Sequence, residues 1–216
     1  MTFFRRAAVV LLPLALVAGM AGAAHGQLGV GRSGSSSLEF MDAAASMREL
    51  VTFGRCYARN SRNDSLALIA TRPTSREEAE VYRRLFSGDS LMCLTAGTTM
   101  SAPLGYVRGA IAEGLFRAGQ GVPPSHVLAA PTVAQVRNLS DAARCYAAGH
   151  REQVRALLAI TPGTREEYDA VSALVSGILA CTPPGARVQG SATLLRFRLV
   201  EGLLRLPPNS PAPPGS

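Results

Sequence analysis

Apolar residues recur at three- and four-residue steps along most of the chain, and no convincing period-two stretch interrupts them. Met47, Leu50, Val51 and Cys56-Tyr57 form the first such stripe, opening near Asp42 and breaking across residues 60–63. Residues 65–71 read as a short second helix stopped by Pro73. Thr74-Ser75-Arg76-Glu77-Glu78 is a capping-box signature, with Thr74 or Ser75 as the cap and Glu77 or Glu78 reaching back. Val81, Leu85 and Phe86 give the third helix its apolar side, and Gly88 ends it. Ser101-Ala102-Pro103 opens a fourth helix with Leu104, Val107, Ile111 and Leu115 on one face. The same order then returns: helices over 133–148 and 152–160, a third capped by Thr164 with Glu167 three residues on, and a last one after Gly190-Ser191 ending at Leu206. The pattern predicts an all-α protein.

The recurrence is also literal. Residues 48–88 lie on 137–177 without a gap, and 17 of the 41 aligned positions are identical, including Arg55-Cys56-Tyr57-Ala58 with Arg144-Cys145-Tyr146-Ala147. One deletion later the offset becomes 88: Cys93 meets Cys181, Arg108 meets Arg196, and Glu113-Gly114-Leu115 meets Glu201-Gly202-Leu203. Such self-similarity predicts two tandem duplicated helical units of about four helices each, spanning 41–118 and 132–206. Residues 119–131 hold two Gly and three Pro and read as the linker between them.

The ends differ in character. A basic Arg5-Arg6 pair, an apolar run over 7–20 and small residues over 21–26 read as a signal peptide cleaved near Gly26. The surroundings of the arginine pair fit general secretion better than the twin-arginine route, and no membrane span remains once the segment is removed. Residues 27–40 read as a flexible Gly/Ser-rich lead, and the five prolines of 207–216 as a disordered tail. The expected location is periplasmic or secreted.

Charge changes this picture little. Lys plus Arg number 22 against 15 Asp plus Glu, for a formal charge of +7; losing Arg5 and Arg6 gives 20 − 15 = +5. Every cation is arginine. These are dispersed and interleaved with acids, and no basic-aromatic platform accompanies them, so nucleic acid is not an expected partner. Four cysteines, with no Cys-x-x-Cys pair, fit an oxidising compartment better than a redox or zinc motif. The duplication selects Cys56 with Cys93 and Cys145 with Cys181 among the three possible pairings.

Arg108 and Arg196 are the most informative polar pair, because each borders the apolar stripe of its helix. Either they bridge helix ends or pair with repeated carboxylates such as Glu78 and Glu167, or they form an anion site in each unit. Glu113 and Glu201 lie about 200° around their helices from Ile111 and Leu199, facing away from the stripe. Adjacent pairs such as Glu77-Glu78 point about 100° apart and do not converge as catalytic carboxylates must. Tyr57 and Tyr146 are expected to pack against the disulfides. His126 and His150 stand apart from acids and make no metal site, and no catalytic, cofactor or phosphate-binding motif is present. The expectation is a non-enzymatic binding or structural module acting on another envelope or secreted protein. An inhibitor-like role is one version of it. The alternative is a small-ligand or anion-binding protein, or a weak enzyme, with a pocket between helices near Arg108 and Arg196.

Overall fold

The computed structural model describes residues 37–86, 92–94, 102–188 and 190–208 of the 216-residue chain. The signal-peptide reading, residues 27–36 of the lead and residues 209–216 of the tail lie outside that description. Among the described residues there are eight α-helices and no strand. They are α1 Ser37–Asn60, α2 Arg62–Ala70, α3 Arg76–Leu85, α4 Leu104–Arg117, α5 Leu139–Gly149, α6 Arg151–Ala156, α7 Arg165–Ala180 and α8 Ala192–Arg205. A 3-10 turn, Leu157–Ala159, prolongs α6, and two others, Pro124–His126 and Val133–Gln135, punctuate the connection to α5. All of this belongs to the compact unit Gly31–Ser216. None of these helices is long and apolar enough to cross a membrane.

Several boundaries differ from the sequence pattern. Helix α1 starts at Ser37, so residues 37–40 of the expected lead are helical. The break before α2 is narrowed to Ser61, whose N–H still bonds the Tyr57 carbonyl. The helix expected over 133–148 is split. Thr132 and Gln135 close a capping box around the turn Val133–Gln135, and Asn138 then starts α5 by accepting the N–H of Asp141 at 3.0 Å. On α4, Val107, Ile111 and Leu115 are buried as the period requires, whereas Leu104 at the first position is 48 % exposed.

The N-caps show how short polar side chains set the helix starts. Ser75 accepts the N–H of Glu78, Thr164 that of Glu167, and Ser191 that of Leu194. The carboxylates do not complete a capping box on the cap itself. Glu78 takes the N–H of Thr74 and Glu167 that of Gly163, one residue earlier. Both of those residues have left-handed backbone, φ 65° at Thr74 and 77° at Gly163. Threonine is a poor residue there, since its Cβ crowds the carbonyl. Thr74→Gly is therefore expected to raise the melting temperature by about 2 °C, as for a gain of roughly 0.5–1 kcal/mol. A thermal melt showing no rise would mean that the Thr74 hydroxyl bond to Pro73 outweighs the strain.

Helices α4 and α8 pack on each other, with α1 against α4 and α5 against α8. The α1–α4 contact is backbone to backbone: a Cβ on Gly54 would lie 2.2 Å from the Ala110 carbonyl oxygen, and one on Gly114 would lie 2.4 Å from that of Gly54. Where α4 meets α8, a Cβ on Gly109 would fall 2.2 Å from Cβ of Phe197. One apolar core gathers Phe53, Tyr57, Leu68, Leu85 and Ile111, and also takes in Phe197 and Leu204 of α8. A second gathers Tyr146, Val154, Val171, Ile178 and Leu199, and Phe116 touches both. Disulfides join Cys56 to Cys93 and Cys145 to Cys181, with Cα separations of 5.6 and 5.9 Å. Such bonds fit an oxidising, extracytoplasmic compartment.

Candidate functional site

The polar centre of the molecule is built from α4 and α8. Their far sides are as buried as their apolar stripes, because α1, α5 and the partner helix cover them all round. Arg108, Glu113 and Arg196 are fully buried, and Glu201 and Glu167 nearly so. A buried charge must find counter-charge and hydrogen bonds or be strongly destabilising. Here each arginine finds its main partner on the opposite helix. Arg108 donates to Glu201 Oε1 from Nε and Nη2, at 2.9 and 2.7 Å. Arg196 donates to both Glu113 oxygens at 3.1 Å. The four residues thus form two crossed pairs related by exchange of the helices.

The remaining donors turn toward the α2–α3 and α6–α7 connections. Arg108 donates to the carbonyls of Leu68, Ile69 and Thr71, to the Thr71 hydroxyl, and to Glu78 at 2.9 Å. Every nitrogen of its guanidinium is engaged. Arg196 donates to the Ile160 carbonyl at 2.7 Å and lies 3.6 Å from Glu167. Glu167 also accepts the Thr193 hydroxyl at 2.6 Å. Ile160 and Thr71 occupy matching places in the repeated stretches, 89 residues apart. Arg117 and Arg205, one turn beyond Glu113 and Glu201, lie 2.8 and 3.9 Å from those carboxylates.

Burial alone would lower the Arg108 guanidinium, but Glu201 and then Glu78 outweigh it and hold it above its ordinary value. Burial alone would likewise raise the Glu201 carboxyl, and Arg108 followed by Arg198 and Arg205 holds it below the usual range instead. The Arg108–Glu201 pair is therefore ionised within the core. Arg205, with burial leading and Arg108 and Arg144 nearby, is held below its ordinary value.

The candidates named from the sequence thus fall in one place. Arg108 and Arg196 sit at the centre of the α4–α8 contact, with Glu78 and Glu167 on its flanks and Glu113 and Glu201 within it. Tyr146 stacks on His150 with ring centroids 4.1 Å apart and donates to Gln153, while the Tyr57 ring stacks on Phe53. Among the described residues no group of three or more His, Cys, Asp or Glu converges as a metal site. Two hollows lie away from the crossed Arg–Glu pairs. One of about 260 Å³ is bounded by Arg137, Leu139, Pro183 and Arg187, and one of about 320 Å³ lies beside the ends of α4 and α8. Neither is lined by Arg108 or Arg196. The larger of these two could not be read from periodicity, because it is made by the 119–127 segment turning back over helix ends. No protein-family model matches the chain, and no curated protein or solved structure shows significant similarity to it.

Proposed function

We propose that this chain is an exported helical binding or structural module that acts through contact with another envelope or secreted protein. We further infer that residues 1–26 are a cleaved signal peptide and that the two halves arose by tandem duplication. The observation carrying the functional reading is that every guanidinium nitrogen of Arg108 and Arg196 is already engaged within the protein. Arg108 has no donor left over for a substrate, and the crossed Arg–Glu pairs sit where no solute reaches them. The anion site considered for Arg108 and Arg196 loses its support on the same ground. Apolar surface remains available instead: Phe86, Met92 and Leu104 are 46, 68 and 48 % exposed, and Tyr82 ties the Leu104 carbonyl to α3. Exposed large apolar side chains of this kind offer contact area to a protein partner.

The test places a photoreactive amino acid at Met92 in the exported protein, with Leu179 as the control position. Crosslinking from Met92 to one protein in constant proportion, absent from Leu179 and reduced by Phe86→Ser, is the expected result. Products that are wholly intramolecular at both positions would remove the reading.

A further inference from the structure

The larger hollow lies where the two apolar cores adjoin. Its floor is apolar: Phe116 from the end of α4, Leu203, Leu204 and Leu206 from the end of α8, and Val122 and Val127 from the returning connection. One wall is backbone, since a Cβ on Gly119 or Gly121 would meet nothing within 4 Å. The volume of about 320 Å³ lies at the lower end of the range of small-molecule cavities.

The polar groups at this hollow are cationic and incompletely used. Arg151 and Arg155, one turn apart on α6, both line it. Arg155 pairs with Glu152, but Arg151 has no carboxylate partner among the described residues and donates only from Nη2, to the Pro207 carbonyl. Its Nε is shielded from solvent with no protein partner. Native proteins rarely leave such a buried donor unpaired, and a bound ion is one explanation for it. Burial, and then Arg155 close by, also holds the Arg151 guanidinium below its ordinary value, which a bound anion would relieve.

We propose that this hollow is a binding site for a small amphiphilic anion, its carboxylate held by Arg151 and Arg155 and its aliphatic chain lying on Phe116, Val122, Leu203 and Leu206. The polar end explains the unpartnered donor and the paired guanidinia. The buried leucines at the far side exclude a wholly hydrated anion as the preferred ligand, because its solvation would be lost without return. This assignment is independent of the protein-contact reading, since it uses neither the Phe86–Leu104 surface nor the crossed pairs.

The test uses the disulfide-bonded protein and sodium decanoate below its micellar range, with acetate and decanol as controls, followed by calorimetry. One saturable site for decanoate is expected, with decanol and acetate each at least about tenfold weaker, as for loss of a charge-assisted bond or of the buried chain. Arg151→Gln weakens decanoate by about tenfold and Arg155→Gln by a smaller factor. Should Arg151→Gln fail to fold, Arg155→Gln and a diazirine-bearing decanoate decide instead, with label expected on Phe116, Val122 or Leu203. No saturable binding, equal binding of decanol, or label confined to other surfaces would overturn the proposal.

Discussion

Arg108→Met destabilises the protein by about 3–5 kcal/mol at neutral pH, a large part of the roughly 5–15 kcal/mol that holds a domain together. Methionine fills much of the volume but leaves Glu201 and Glu78 facing carbonyls that arginine had satisfied. The loss is mainly that of stranded charge, not of packing. The pH dependence distinguishes the two. A carboxyl held low in the fold, as Glu201 is, stabilises it above the unfolded value of about 4.3, and that contribution is lost as pH falls toward the folded value. The wild-type protein therefore weakens in acid. In the variant the main cation is gone, the Glu201 carboxyl moves back up, and the difference between the two proteins shrinks as pH falls through the carboxylate range. Adding Glu201→Gln to Arg108→Met restores more than half of the lost stability at neutral pH. Urea unfolding followed by circular dichroism at several pH values measures all of this. A loss below about 1 kcal/mol, or one unchanged by pH, would mean that the pair is not ionised in the fold.

Reduction of both disulfides produces the second large effect. Each closes a loop, with sequence separations of 37 and 36, and contributes about 3–4 kcal/mol in the chain-entropy account. Together they amount to about 7 kcal/mol, comparable with the whole stability of many domains. The reduced chain is expected to lose its cooperative thermal transition while the oxidised chain keeps it. Cys56→Ala/Cys93→Ala and Cys145→Ala/Cys181→Ala should each cost about half as much. A reduced chain, verified by thiol labelling, that melts within a few degrees of the oxidised one would show that packing alone carries the fold.

Much of the architecture was legible because local chemistry sets it. Ser75, Thr164 and Ser191 start helices as short oxygen-bearing residues do, and the pattern of Val107, Ile111 and Leu115 marks a face that is indeed buried. The cysteines occur at matching places in the two stretches, and the structure bonds Cys56 to Cys93 and Cys145 to Cys181. What the pattern hid was the burial of Glu113 and Glu201. Periodicity identifies one buried side of a helix, and α4 and α8 are buried on every side. The composition of α4 held a clue in Gly105, Gly109, Ala110, Ala112 and Gly114, which suit close helix contact more than a wet surface. The false start of α5 has another cause: Val133 and Val136 extend an apolar period through a turn that Thr132 and Gln135 close by themselves.

The contact of Gly109 with Phe197 has a consequence for the proposed ancestry. At the offset of 88 these two residues are counterparts, so each half presents its own version of one position to the other. Two copies of the first half would set glycine opposite glycine and leave a void between α4 helices. Two copies of the second would press phenylalanine against phenylalanine where there is room for one ring. On the proposed ancestry, the halves are now left and right gloves at this contact, and neither would replace the other.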